Sequence, residues 1–303
     1  MYKKSLTLSL LLSLGFLQVV QAQPPGVTME MIMRQLPLEG APLAIQGEYE
    51  TIQREADGLP GHIVIHPTAL NEFPVRDNMP LMVWGNGGCA IDGSRYADFL
   101  STIASHGFLV MTTVAIEGQD RGQASADDMF DAIAWAEKEN ERTGSPLYGK
   151  IDLDHIAALG QSCGGFMSAT AGLDPRVGTV GLFNSGLNAP SENAGPPGRA
   201  DSSSLAGLHG PVLLINGGEV DFMYETAQHN FDVINHVPVF YGARENAGHT
   251  ATVYHPGGGE FANVASNWLR YVFKNDRQAG RMFVGNNCSL CTNENWETDS
   301  KDL

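Results

Sequence analysis

Gly160-Gln161-Ser162-Cys163-Gly164-Gly165 sets a serine in the spacing G-x-S-x-G, after the apolar run Ile156–Leu159 and before the small-residue run Gly164–Gly172. That order predicts a sharp strand-to-helix turn that lifts the serine hydroxyl clear of the backbone. The helix N-terminus behind it favours developing negative charge. Glycines are needed because so tight a turn has no room for side chains. A serine so placed can attack a carbonyl and carry the acyl group as a covalent intermediate. The plain alternative is an ordinary glycine-rich turn. Cys163 is the rival nucleophile, but a frame centred on it puts Gln161 where a glycine is wanted, so Ser162 is the better centre.

A serine nucleophile needs a base, an acid that orients the base, and N–H donors for the oxyanion. Three further strand ends offer them. Gly85-Asn86-Gly87-Gly88-Cys89 follows the apolar run Pro80–Trp84. Its glycines let backbone approach a reacting oxygen, and Cys89 is the expected donor there, with Gly88 as alternative. The second donor is the residue after the nucleophile, Cys163. Asp221, in Gly217-Gly218-Glu219-Val220-Asp221, follows Val212–Ile215 and is the expected acid, with Glu219 as rival. His249, in Asn246-Ala247-Gly248-His249-Thr250, follows Val237–Tyr241 and is the expected base. His255, beside Pro256, is its main rival. His106 falls between a helix and a strand, at the other end of the sheet, and reads as structural.

The elements that must position these residues form a rhythm. A Pro-rich lead-in, Gln23 to Leu43, precedes strand-like stretches at Gln46–Arg54 and Gly61–His66, joined by the turn Leu59-Pro60-Gly61. Strands are then expected at Pro80–Trp84, Phe108–Val114, Ile156–Leu159, Val177–Phe183, Val212–Ile215 and Val237–Tyr241. Helices are expected at Gly93–Ser105, Ala126–Arg142, Gly164–Gly172, Glu225–Ile234 and Phe261–Phe273. Short apolar strands alternating with amphipathic helices imply an α/β fold. Its central sheet is mainly parallel, with an antiparallel N-terminal edge and helices on both faces. Asn184–Ser204, rich in Gly, Pro, Ser and Asn, reads as a surface loop, and Gly285–Leu303 as a polar tail apart from Trp296 and a cysteine pair.

Residues 1–22 read as a secretory signal peptide: Lys3 and Lys4, an apolar stretch from Leu6 to Val20, and small residues before a cut after Ala22. The apolar stretch is short for a membrane span, so no stable membrane anchor is expected. One domain is expected over 23–303. The chain carries 18 basic and 34 acidic side chains, a formal charge of −16, which repels nucleic acid. Export permits disulfides among Cys89, Cys163, Cys288 and Cys291, in three possible pairings. Only Cys288-x-x-Cys291 has a metal-motif spacing, so no metal site is expected. Cys89 and Cys163 are both inferred donors to one oxygen, so their backbones converge to bridging range. We expect Cys89–Cys163, which leaves Cys288–Cys291.

The chain order Ser162…Asp221…His249 is that of the α/β-hydrolase triad, and the chain resembles that fold. Within it, it resembles the secreted cutinase-like polyester hydrolases and their relatives among lipases and platelet-activating-factor acetylhydrolases. The likeness runs from about Pro80 to Phe283. It is carried by Ala104-Ser105-His106-Gly107-Phe108, Gly160–Gly165, Gly218-Glu219-Val220-Asp221, Gly248-His249 and Trp268-Leu269-Arg270-Tyr271. It implies a serine esterase with no cofactor and an open, lidless site. Two departures stand out. Cys89 occupies the place of a usual Phe or Tyr, and Asn184-Ser185-Gly186 that of a usual Trp; in the family those two aromatics clamp the acyl group. The expected protein is a secreted esterase for small-molecule or polymeric esters, of short to medium acyl length. Polyester hydrolysis, an amidase or peptidase with the same triad, and a binding protein on a hydrolase scaffold are the alternatives.

Overall fold

The computed structural model describes residue 38, residues 41–190 and residues 201–303. The expected signal peptide and the middle of the loop after Asn184 lie outside these residues. A nine-stranded sheet runs through the chain in the order β1-β2-β4-β3-β5-β6-β7-β8-β9. β1 (Thr51–Glu55) and β2 (His62–Pro67) form the expected antiparallel hairpin, and β2 pairs antiparallel with β4 (Leu109–Thr113). β3 (Met79–Gly85), β4, β5 (Ile151–Gln161), β6 (Val177–Phe183), β7 (Val212–Asn216) and β8 (Val239–Arg244) are mutually parallel. Parallel strands need crossovers, and helices supply most of them.

Those helices pack on both faces because the central strands are apolar on both sides. One face buries Met129, Ile133 and Ala136 of α2 (Ala126–Glu141), Met167 of α3 (Cys163–Ala171) and Phe231 of α4 (Tyr224–Val233). The other buries Phe99 and Ile103 of α1 (Ala97–Ser105) and Phe261 and Trp268 of α5 (Gly259–Lys274). Each of the Met, Ile and Phe side chains among these contributes roughly 1.5–3 kcal/mol when fully buried. α2 starts where its sequence says: Ser125 Oγ accepts from Asp127 N–H, while Asp128 Oδ2 accepts from Ser125 N–H. No helix among the described residues is long and apolar enough to cross a membrane.

Four elements differ from the sequence expectation. The lead-in joins the sheet at Thr51 rather than Gln46, because Gly47 and Tyr49 donate their N–H groups to Ser105 at the end of α1. β5 begins at Ile151, its first half disguised by Asp152, Asp154 and His155. The polar tail ends in β9 (Trp296–Lys301), antiparallel to β8. One buried cluster fixes that strand: Trp296 Nε1 donates to Glu260 Oε1 at 2.7 Å, and Arg244 Nε to Glu260 Oε2 at 2.8 Å. The short helix α6 (Arg277–Gly280) was likewise not expected.

Candidate active site

The elbow between β5 and α3 has the strain its motif implies. Ser162 has φ 54° and ψ −119°, a conformation that costs a non-glycine residue about 1–3 kcal/mol and persists only when its surroundings impose it. The surroundings are close backbone. A Cβ on Gly164 would lie 2.0 Å from Gly85 O, and one on Gly160 2.3 Å from Gly164 O. The first of these contacts sets the end of β3 directly against the elbow.

Ser162 meets both expected partners. His249 Nε2 lies 2.8 Å from Ser162 Oγ, and His249 Nδ1 lies 2.8 Å from Asp221 Oδ1. Asp221 is 1% exposed and His249 4%. Burial pushes the Asp221 carboxyl up, but the hydrogen bond from His249, with those from Asn184 and Met223 N–H, outweighs it and holds the carboxyl below the usual carboxylate range. An ionised Asp221 only accepts, so Nδ1 carries the proton and Nε2 is left to accept from Ser162. Glu219, the rival acid, points into solvent. His255 precedes the turn Pro256–Gly258, and His106 caps α1 and faces Ile45 O at 3.0 Å.

The Gly87–Cys89 turn lies against the elbow. Gly88 and Cys89 both have positive φ, 68° and 49°. Cys89 is disulfide-bonded to Cys163 with the Cα atoms 5.1 Å apart, and Cys288 is bonded to Cys291, so the expected pairing is the one present. Cys163 opens α3, and the first N–H groups of a helix have no partner within it.

Side chains that the sequence did not single out hold the site together. Asn86 is fully buried; its Nδ2 donates to Ala90 O and Thr113 Oγ1, and its Oδ1 accepts from Thr112 Oγ1. The buried Tyr96 hydroxyl accepts from Gly87 N–H at 2.8 Å and donates to Gln161 Oε1 at 2.9 Å, while Gln161 Nε2 donates to His249 O at 2.9 Å. One network therefore ties the Gly87–Cys89 loop, the elbow and the histidine loop.

Asn184 and Ser185 correct a sequence expectation. Both are buried and hydrogen-bonded inward, so neither offers surface to an acyl group. Asn184 Nδ2 donates to Asp221 Oδ2 at 2.8 Å and to Gly248 O at 3.0 Å; Ser185 Oγ donates to Ser162 O at 2.7 Å. Asn184→Ala removes a donor to a buried charge, an interaction worth about 1.5–3 kcal/mol. We expect kcat/KM to fall by about tenfold or more, measured on a soluble ester, and Asn184→Asp to do worse by placing like charge against Asp221.

Such a sheet, with a serine elbow after β5, an acid after β7 and a histidine after β8, defines an α/β-hydrolase. The PET hydrolase-like family (PETase) matches residues 90–300, which include Ser162, Asp221 and His249 and begin just after Cys89. The chain belongs to this family and is a carboxylic ester hydrolase. A comparison with curated proteins finds no significant match.

Proposed function

We propose that the protein is a secreted serine esterase that works through an acyl-enzyme on Ser162. The observation that carries this reading is the continuous line Asp221–His249–Ser162, with 2.8 Å at both steps. Ser162 Oγ attacks the ester carbonyl as His249 Nε2 takes its proton, and Asp221 stabilises the imidazolium. The N–H groups of Cys89 and Cys163 receive the oxyanion. His249 then protonates the leaving alcohol, and afterwards activates the water that releases the acid. Residues 1–22 direct export and 23–303 form the catalytic domain. The two disulfides support an oxidising destination.

For the acyl group, the reading is short to medium length. Cys89, bridged to Cys163, offers no ring to a bulky acyl group and cannot swing aside. Family membership favours a second reading, polyester hydrolysis. The test is a panel of nitrophenyl esters from acetyl to palmitoyl, a nitroanilide and a polyester film, with fluorophosphonate labelling of the protein. We expect covalent label on Ser162, butyryl ester cleaved faster than palmitoyl ester or film, and little anilide hydrolysis. Faster release from film would establish the second reading. Label elsewhere, or none, would defeat the serine mechanism.

A further inference from the structure

Phe222 follows Asp221 in the chain, and its ring lies on the imidazole of His249, with centroids 3.9 Å apart and planes at 34°. Nothing in the proton relay needs a ring there. The ring is only partly buried, and its neighbour Val220 is 41% exposed. Its backbone is fixed on both sides: Asp221 N–H donates to Gly218 O, Tyr224 N–H to Asp221 O, and Met223 N–H to Asp221 Oδ1. The ring is therefore a rigid apolar surface at the base, on the loop between β7 and α4.

The chemistry of the leaving step says which part of a substrate meets it. The alcohol oxygen receives its proton from His249 Nε2, so it must come within about 3 Å of that atom. The carbon attached to that oxygen then lies beside the imidazole, next to the ring that covers it. The acyl carbon is held elsewhere, between Ser162 Oγ and the N–H groups at Cys89 and Cys163. We propose that Phe222 is the alcohol-side wall of the site, and that the enzyme selects esters whose alcohol carries a flat, apolar group. A partly exposed phenyl ring can take such a group by offset or edge-on contact. This deepens the serine-esterase reading and rests on it.

Benzyl acetate and ethyl acetate test the idea, since they share the acyl group and have alcohols of similar leaving ability. Wild type is expected to show the higher kcat/KM on benzyl acetate. In Phe222→Ala the benzyl-to-ethyl ratio of kcat/KM should fall by about tenfold, the scale of a lost ring contact, whatever loss the two esters share. Phe222→Tyr should keep the ratio. Phe222→Leu, nearer in volume, gives the same comparison if the alanine variant does not fold. An unchanged ratio with an equal loss on both esters, and an altered pH profile, would mean that the ring only steadies His249, and would overturn the proposal. Absence of Ser162 labelling in wild type would instead remove the esterase reading beneath it.

Discussion

Ser162→Ala lowers ester turnover by about 10⁴-fold or more and leaves the fold intact, because the change removes one exposed-edge oxygen from a strained turn and no packing. His249→Ala falls to the same floor. The serine is then never deprotonated as it attacks, and the leaving alcohol is never protonated. Asp221→Asn costs about 10⁴-fold for a different reason. An amide in place of the carboxylate can present N–H to Nδ1, which fixes the wrong tautomer and turns Nε2 into a donor facing Ser162. These losses do not add, since each member works only through the others; the Ser162→Ala/His249→Ala double variant should be scarcely slower than either single one. His249 can take the serine proton only through an unprotonated Nε2, the atom that lies 2.8 Å from Ser162 Oγ. Glu219→Gln and His255→Ala keep most activity. Steady-state kinetics on one soluble ester decides all of it: a dead His255→Ala beside an active His249→Ala would move the base, and a dead Glu219→Gln would move the acid.

The residues of this line were legible in the sequence because each sits where an apolar strand stops, and strand ends are where a parallel sheet gathers its chemistry. The strands around it were legible from their own composition: β3 and β7 are buried along their whole length, and Leu81–Trp84 and Val212–Ile215 read as unbroken apolar runs. β9 was not, because an edge strand buries one side chain in several. Trp296 is its only buried residue, and that burial depends on Glu260, 36 positions away in the chain. The supporting shell was also hidden. Gln161 and Asn86 stand at places their glycine-rich motifs leave unspecified, and Tyr96 and Asn184 belong to no catalytic motif; their roles follow from which hydrogen-bonding atom faces which, and that is settled only when distant loops pack. Asn184 shows the cost of alignment by position alone. The resemblance put the stretch Asn184-Ser185-Gly186 in the place of a clamp Trp, whereas the backbone turns at Asn184, with φ 46°, and its buried side chain donates to Asp221 Oδ2.

Removal of the Cys89–Cys163 bridge by Cys89→Ala/Cys163→Ala should lower stability and kcat together. The bridge joins positions 74 apart in sequence, and closing a loop of that length restricts the unfolded chain by about 4 kcal/mol. The catalytic part has a local cause. Cys89 holds a left-handed conformation that only glycine adopts freely, directly after Gly88, which is left-handed as well. The bond to Cys163 at the start of α3 holds the pair in that shape and keeps the two N–H groups that we propose as oxyanion donors at a fixed separation. Without it, Cys89 can relax toward negative φ and rotate its N–H away from the oxyanion. Outright loss of one such donor costs about 10²–10³ in kcat. Loosening a donor that Asn86 and Tyr96 still partly hold should cost less, about 10- to 100-fold. KM should change little, since the hole acts on charge that exists only as the reaction proceeds. The tail bond makes the control. Cys288 and Cys291 close a loop of only three positions, whose hydrogen bonds go to Arg281, Met282 and Gly285 and to none of the elbow residues, so Cys288→Ala/Cys291→Ala should cost less stability and leave kcat near wild type. Thermal unfolding and kcat measured on both double variants, well below their melting temperatures, separate the two roles. A Cys89→Ala/Cys163→Ala enzyme that melts early yet keeps full kcat would reduce the bridge to a staple and leave the donor geometry to Asn86 and Tyr96 alone.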